Sequence, residues 1–348
     1  METHDPNEVQ PPQAQPTLAQ AGEFGAIARW ASRLWTGRGV RLGIGDDGAL
    51  LEALSAPVVS CDALVEGIHF KLGWTSARDL GWKALAVSLS DLAAMGARPA
   101  AAFLSLAAPP SLELSWLDEF FAGLDECARA FACPLAGGDT TRSPGPLFLS
   151  LCAVGQLQVL DSPLRRDGAR AGDLLLATGT LGDSRAALRL LQEERSSAEA
   201  SIRFLLERHF RPTPRLLEIA RVLQQAPQAV AAALDLSDGL AGDAAHIARA
   251  SGVTLRFDYD NLPLSPALLD VAARLGWDAR REALRGGEDY ELLLCVRPQL
   301  ASAVRAAIES CGTRATFIGR VEEQQAEPVI VQRSNGSLVA HEGSWTHF

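Results

Sequence analysis

Aspartate residues recur beside glycine or small polar residues at points where an apolar run of the sequence ends. Such strand ends are where ligands bind α/β sheets, and carboxylate oxygens are hard ligands that suit Mg²⁺, an ion that keeps waters and bridges to phosphate oxygens. One such segment alone would favour an ordinary turn. Together the segments predict a divalent-cation site for phosphoryl chemistry; they are Gly45-Asp46-Asp47, Ser60-Cys61-Asp62, Gly137-Gly138-Asp139 and Asp235-Leu236-Ser237-Asp238-Gly239.

Asp91 adds an independent indication, because it lies in a helical series of apolar residues. The series is Leu80, Ala84, Val87, Asp91 and Met95, spaced by four, three, four and four. A lone buried carboxylate costs several kcal/mol unless it is paired or metal-bound, so Asp91 is predicted to point into the same site. The alternative is that the helix is apolar on several sides and that Asp91 caps a neighbour or meets Lys83.

Composition limits the class of protein. The formal net charge is −10 and the pI about 5.2, which excludes a cationic nucleic-acid surface. There is no uncharged apolar run of about 18 residues and no basic, apolar leader, so we expect a cytoplasmic protein with no membrane partner. The six cysteines occur singly, which predicts reduced core thiols.

The elements that must position these residues form two units of an α/β (α+β) chain. Residues 1–21 are rich in Pro and Gln and predict a disordered tail. We expect residues 22–160 to form the N-terminal domain. Its predicted strands are 57–60, 101–106 and 147–154, and its predicted helices are 77–95 and 115–132. We expect residues 161–348 to form the C-terminal domain, which begins with a polar connection at 161–172. Its predicted strands are 174–178, 231–236 and 290–296, and its helices 184–191, 201–208 and 240–250.

Glycine-rich loops provide weaker indications. The hexapeptide from Gly43 to Gly48 matches G-x-G-x-x-G, but two aspartates would face the pyrophosphate of a dinucleotide, which disfavours NAD. The loop from Thr178 to Ser184 could offer amide groups to phosphate or be only a turn. His69 and Glu288 could be ordinary polar residues, and Trp345 either anchors the terminus or stacks on an aromatic ligand.

Taken in order, these segments resemble the thiamine-monophosphate kinase family, within the superfamily that includes aminoimidazole ribonucleotide synthetase and selenophosphate synthetase. The resemblance covers residues 22–348. It rests on nine segments, which begin at Gly22, Gly43, Asp62, Ser90, Gly137, Thr178, Asp235, Gly286 and His347.

The resemblance implies direct transfer of phosphate from ATP to thiamine monophosphate, which gives thiamine diphosphate and ADP in the final step of thiamine diphosphate biosynthesis. It implies several Mg²⁺ ions and no phosphoenzyme. It also implies the two-domain aminoimidazole ribonucleotide synthetase-like fold, with an N-terminal mixed-sheet domain that forms a homodimer and a C-terminal α/β sandwich that closes over the substrate. No general base is required, because the acceptor is a phosphate oxygen that is ionised near neutral pH.

Residue roles follow from the resemblance by position. The implied catalytic group is Asp47, Asp91, Asp139 and Asp235. The implied metal ligands are Asp47, Ser60, Cys61, Asp62, Asp91, Asp139, Asp235 and Asp238. The implied ATP contacts are Gly138, Asp139, Arg166 and Ser237, and the implied contacts to thiamine monophosphate are His69, Glu288 and Trp345.

Two positions depart from the family pattern, and the first of them affects one metal position and not the activity. Cys61 stands where the family often has Thr, so only its backbone carbonyl could serve as a ligand; Gly48 replaces a small side chain. One alternative is another ATP-dependent enzyme of the superfamily, acting on a formyl-amidine, selenide or carbamoyl group. The other is a silent nucleotide-binding scaffold.

Overall fold

The computed structural model describes residues 16–45, 47–159, 162–195 and 197–340. Two sheets organise them. A four-stranded sheet has the order β3-β6-β4-β5, and a six-stranded sheet has the order β12-β9-β11-β7-β10-β8. Each is mixed and carries helices, so the predicted α/β (α+β) class with two units is confirmed.

The first unit runs from α1 to β6. Its helices are α1 Leu18–Ala21, α2 Glu23–Ala31, α3 Ala77–Ala94 and α4 Leu114–Ala130. Its strands are β1 Val40–Leu42, β2 Leu50–Leu51, β3 Pro57–Val65, β4 Ala97–Ala108, β5 Leu135–Arg142 and β6 Phe148–Leu157. Helix α3 packs against β3, β4 and β6, so one face of the sheet is covered.

The other face of this sheet is open in the single chain. Side chains alternate across strands, and β3 alternates between exposed and partly buried positions. Val59 on this face is 60% exposed, and Phe148 at the start of β6 is 37% exposed. A run of apolar side chains that faces water in this way is typical of a surface that another chain covers.

The second unit runs from β7 to β12 and forms its own core. Its strands are β7 Leu174–Thr178, β8 Val230–Asp235, β9 Val253–Asp258, β10 Leu292–Val296, β11 Ala315–Glu323 and β12 Val329–Gln332. Its helices are α5 Asp183–Gln192, α6 Ala200–Phe210, α7 Leu216–Gln225, α8 Leu240–Ser251, α9 Pro266–Leu275, α10 Ala279–Arg285 and α11 Ala301–Glu309. Strand β10 is buried at all five positions and lies between β7 and the edge strand β8, so the segment that precedes it lies beside the end of β8.

Helix α3 is the element that the two units share. It packs on the first sheet and also contacts β8, α6 and α7 of the second unit. Its contact with α4 is a direct backbone contact: a Cβ on Gly81 would lie 1.9 Å from the carbonyl oxygen of Phe120, and one on Gly123 would lie 1.8 Å from that of Arg78. Glycine is therefore required at both positions of the crossing.

Most predicted elements appear within a few residues of their expected bounds, and the exceptions affect the site. Helix α1 lies within the predicted tail, so order begins before Gly22, and residues 1–15 lie outside the described range. Strand β3 continues to Val65 and places Asp62 inside the strand; Asp139 likewise lies inside β5. The expectation that these two aspartates follow strand ends is therefore wrong. The apolar run resumes after Asp62, and the polar residues after Asp139 stay paired with β4 as far as Arg142.

Candidate active site

Three aspartates from separate elements meet beside α3, and each accepts a hydrogen bond from a serine hydroxyl. Ser60 on β3 donates to Asp91 on α3. Ser88 donates to Asp62 with an O–O distance of 2.7 Å, and Ser90 donates to Asp235, the last residue of β8, at 2.8 Å. We refer to Asp62, Asp91 and Asp235 as the carboxylate cluster.

The electrostatics of the carboxylate cluster are unfavourable for three negative charges. Burial, together with the charge of Asp91, raises the pKa of Asp235 to about 8. Burial and Asp91 also raise the pKa of Asp62 to about 6, although the hydroxyls of Ser88 and Ser60 oppose the shift. A bound cation would stabilise the ionised form of these carboxylates, because a nearby positive charge lowers the pKa of a carboxyl group.

The donor set of the cluster fits Mg²⁺. Its atoms are carboxylate and hydroxyl oxygens, the ligands that this ion prefers. Among the described residues, no three His, Cys, Asp or Glu side chains lie close enough to hold one ion by themselves. This spacing suits an ion that takes one or two carboxylates and completes its shell with water and substrate phosphate oxygens.

The segment before β10 lies next to the cluster in a strained backbone conformation. Glu288 and Tyr290 have φ angles of 61° and 50°, in the left-handed region that non-glycine residues rarely adopt. Their amides donate to the carbonyl oxygens of Ser237 and Leu236 at 2.8 and 2.9 Å. Strain of this kind persists only where the surroundings fix it, and it concentrates at functional sites.

Tyr290 connects this segment to the carboxylate cluster. Its side chain is buried, and its pKa is raised by burial and by the negative charges of Glu288, Asp62, Asp235 and Asp91. Tyr290 is therefore near enough to both Glu288 and the carboxylate cluster to feel their charges.

The loop after β8 is organised by Asp243 of α8. One oxygen of this buried carboxylate accepts the backbone N–H groups of Ser237, Asp238 and Gly239, each at 3.0 Å. Three amide donors on one acceptor fix the loop, so Ser237 and Asp238 face the site with a defined backbone.

A cleft of about 470 Å³ runs between the two units next to these residues. The first unit contributes Asp62, His69, Phe70, Trp74 and Lys83, among others. The second unit contributes a further set that includes Ser184, Arg185, His209, Phe210, Ser237, Asp238, Arg285, Glu288 and Tyr290. Apolar and aromatic walls with a few polar groups are typical of a site for a small organic ligand.

Four polar side chains form a connected row in the wall of this cleft. Lys83 Nζ lies 2.9 Å from Glu288 Oε1, and His209 Nδ1 lies 3.5 Å from Glu288 Oε2. His209 Nδ1 also lies 2.8 Å from Ser184 Oγ. Burial and the neighbouring Lys83 lower the pKa of His209 to about 3, so its ring is neutral near pH 7.

The predicted site residues divide into those that the structure brings together and those that it does not. Beside the cleft or the cluster lie Ser60, Cys61, Asp62, Asp91, Asp235, Ser237, Asp238, His69 and Glu288, although the thiol of Cys61 points to the other face of the sheet. Asp47 lies between β1 and β2, and Arg166 lies near His246 of α8; neither is among the residues that line the cleft. Asp46 and Trp345 lie outside the described residues.

Cys61 and Asp139 lie on the open face of the first sheet. Across the four strands, Asp62 pairs with Leu151, Leu151 with Leu104, and Leu104 with Gly138. Asp139, the next residue of β5, pairs with Ser105. Because neighbouring residues of a strand point to opposite faces, Asp139 and the Cys61 thiol face away from the carboxylate cluster. Gly138 is required by packing, since a Cβ there would lie 1.9 Å from the Leu104 carbonyl oxygen.

His209, Asp243 and Ser88 are polar residues that the sequence did not single out, and Lys83 was considered only as a partner of Asp91. Lys83 precedes Asp91 by eight residues, a spacing that places both on one side of a helix, so its position was available from the pattern. His209 and Asp243 had no comparable signal, because each is defined by contacts with distant segments of the chain.

Residues 45–157 match the AIR synthase related protein, N-terminal domain, and residues 170–332 match the AIR synthase related protein, C-terminal domain. Among the described residues, no helix is both long and apolar enough to cross a membrane.

Characterised relatives match over most of their length. The chain is 43% identical over 308 residues to the thiamine-monophosphate kinase of Salmonella typhimurium, which covers 86% of this chain and 90% of that one. It is 36% identical over 332 residues to the thiamine-monophosphate kinase of Aquifex aeolicus, which covers 95% and 99%.

Solved structures give the same result. The thiamine-monophosphate kinase of Stenotrophomonas maltophilia superposes with a TM-score of 0.79 at 41% identity, over 90% of this chain and 97% of that one. A structure described as AaThiL complexed with AMPPCP and TMP superposes with a TM-score of 0.74 at 35% identity, over 94% and 97%.

Proposed function

The chain belongs to the thiamine-monophosphate kinase family, and on that premise we propose that its cleft transfers a phosphate group from ATP to thiamine monophosphate. The products are thiamine diphosphate and ADP, and the step completes thiamine diphosphate biosynthesis. The observation that carries the proposal is the cleft itself, which joins the carboxylate cluster to the polar row around Glu288. A relative with the same fold was solved with AMPPCP and TMP.

The residues beside the cleft suit the two halves of such a reaction. Asp62, Asp91 and Asp235, with the hydroxyls of Ser60, Ser88 and Ser90, offer the oxygen ligands. When bound there, Mg²⁺ would neutralise the phosphate oxygens and the charge that develops during transfer. Ser237 and Asp238, held by Asp243, line the same cleft.

Binding and positioning account for what the remaining residues do. The acceptor is a phosphate oxygen, so the chain has no proton to remove from a hydroxyl. His69 accepts the Val65 amide through Nδ1 at 3.0 Å, and this fixes its ring at the wall of the cleft. We assign His69 and Glu288 to the organic part of the substrate, and Trp345 remains a proposed stacking residue outside the described range.

ATP binding and the dimer belong together in this proposal. Gly138, Asp139 and Arg166 are proposed ATP contacts, and Asp47, Cys61 and Asp139 are proposed metal ligands. Two of these, Cys61 and Asp139, lie on the open face of the first sheet. A homodimer formed through that face would cover its apolar side chains and place both residues at the interface. We therefore propose a homodimer, and cytoplasmic ATP as the phosphate donor.

The test is product formation by the purified protein. With ATP, Mg²⁺ and thiamine monophosphate we expect stoichiometric thiamine diphosphate and ADP, resolved by chromatography, and no product in EDTA or from free thiamine. Binding of ATP without any turnover would contradict the proposal and leave the superfamily assignment intact.

A further inference from the structure

Lys83 has no assigned role in the proposed reaction, yet its ammonium group lies 2.9 Å from the Glu288 carboxylate. We propose that Lys83 is a specificity-determining positioning residue, which keeps the Glu288 carboxylate ionised and directed at the aminopyrimidine ring of thiamine monophosphate. The cleft would then select ligands that present an amino group to Glu288. This inference rests on the proposed function, because it names the part of that substrate which Glu288 reads.

The geometry makes Lys83 part of the wall and Glu288 part of the binding surface. The Lys83 side chain is 4% exposed and that of Glu288 is 25% exposed. The ammonium group approaches from α3 in the first unit, whereas Glu288 belongs to the strained segment of the second unit. One oxygen of Glu288 is thereby fixed at 2.9 Å from Lys83, and the carboxylate has lone pairs left for a ligand.

The other ionisable groups near Glu288 do not replace this charge. His209, on α6, is 3.5 Å away and uncharged near neutral pH. His69, from the loop before α3, lowers the pKa of Glu288 less than Lys83 does. Tyr290, two residues after Glu288, is a buried phenol that keeps its proton. Lys83 therefore supplies the main positive charge at this carboxylate.

The protonation state of Glu288 depends on the charge of Lys83. Burial alone would raise the pKa of Glu288, but the charge of Lys83 and its hydrogen bond to the carboxylate hold the pKa below its ordinary value. Without Lys83, the buried carboxylate loses its counter-charge and takes up a proton at higher pH. A protonated carboxyl has lost its charge and accepts through its carbonyl oxygen alone, so it binds an amino group more weakly than the carboxylate does.

The experiment measures how the KM for thiamine monophosphate depends on pH in Lys83→Met. The KM of each variant is divided by the KM of the wild type at the same pH, between pH 6 and 9. The titration of the substrate then cancels from the ratio. We expect the KM ratio to rise about tenfold for each pH unit below the new pKa of Glu288, with a smaller change in kcat. Lys83→Arg should restore most of the loss, because it keeps the charge.

Lys71 provides the matched control. The chain has two lysines, Lys71 and Lys83, and both line the cleft. Lys71 lies 4.1 Å from the centre of the Trp74 ring, so Lys71→Met removes the same charge without removing the partner of Glu288. Its KM ratio should stay flat with pH.

A substrate analogue gives a second readout. In oxythiamine monophosphate a carbonyl oxygen replaces the amino group, so a donor becomes an acceptor. The wild type should reject this analogue strongly, because a site built to bind a donor leaves polar groups unpaired with an acceptor. We expect Lys83→Met to reduce that discrimination in kcat/KM by about tenfold or more, and Glu288→Gln to reduce it at every pH.

The outcomes separate the two proposals. A wild type that makes no thiamine diphosphate refutes the proposed function. An active wild type with a flat KM ratio and unchanged discrimination in Lys83→Met refutes the role of Lys83. If Lys83→Met melts below the assay temperature, Glu288→Gln decides, since retained discrimination in that variant also refutes the inference.

Discussion

Each carboxylate of the cluster is paired with a serine, and this pairing explains how three acids are held together in the folded chain. A hydroxyl donor favours the ionised form of its acceptor, yet the pKa values of Asp62 and Asp235 remain raised because burial and mutual repulsion outweigh it. The cluster is therefore arranged for a cation and under electrostatic stress without one.

Asp91→Asn tests that statement. The amide can still accept the Ser60 hydroxyl, so we expect the fold to persist while phosphoryl transfer falls by about 100-fold or more. In EDTA the variant should melt at the same or a higher temperature than the wild type, because one of three like charges is gone. Asp270→Asn, on α9, is the control for a charge change elsewhere; full turnover of Asp91→Asn at limiting Mg²⁺ would contradict the cluster.

His209 gives a prediction for stability against pH. Its pKa falls from an ordinary 6.5 to about 3 on folding, mainly through burial. Between those values the unfolded chain binds a proton that the folded chain refuses, so the free energy of unfolding falls as pH falls below 6.5. Between pH 7 and pH 5, the free energy of unfolding of the wild type should fall by about 2 kcal/mol more than that of His209→Gln, as measured by urea titration. Parallel losses in both proteins would show that His209 does not control this range.

Sequence reasoning at this scale succeeded where a side chain broke a local pattern. Asp91 was found because a charge interrupts an apolar helical stripe. Lys83 was overlooked as a partner for distant segments, because nothing in the pattern of α3 shows that Glu288, 205 positions later in the chain, folds back upon it.

At the scale of elements, α3 determines the geometry of the site. It supplies Lys83, Ser88, Ser90 and Asp91, which contact Glu288, Asp62, Asp235 and Ser60 respectively. Its path is set by α4, because Gly81 and Gly123 allow backbone contact at the crossing. A small displacement of this helix would change every one of those contacts.

Gly81→Ala should therefore reduce both stability and activity. The new Cβ would lie 1.9 Å from the Phe120 carbonyl oxygen, and we expect a loss of about 1–3 kcal/mol or more in the free energy of unfolding. Gly25→Ala in α2 is the matched control, because nothing lies within 4 Å of its Cβ, and it should gain about 0.5–1 kcal/mol. Equal melting temperatures for the two variants would contradict the close crossing.

The bounds of elements were predicted better than the position of the site within them. Strand β7 has the expected residues, and α8 begins at the expected Leu240 and ends one residue beyond its expected end, at Ser251. Asp62 and Asp139 were expected after strand ends but lie within β3 and β5, on opposite faces of one sheet. Register between strands decides which face a side chain reaches, and a single sequence does not contain that register.

At the scale of the whole molecule, the open sheet face should be the surface through which two copies associate. Val59→Arg places a charge on that face, where the side chain is 60% exposed in the single chain. We expect the wild type to sediment as a dimer, and Val59→Arg to sediment as a monomer with weaker ATP binding. Leu269→Arg, at an exposed position of α9, is the control and should remain dimeric. A monomeric, active wild type would contradict this interface.

The placement of lysine has a practical consequence for chemical labelling. Both lysine side chains of the chain line the cleft, one of them exposed beside Trp74 and one buried against Glu288. An acylating reagent aimed at side-chain amines therefore has no site on the rest of the surface. Its reaction at Lys71, followed by mass spectrometry, would report directly on whether the cleft is filled, without any engineered residue.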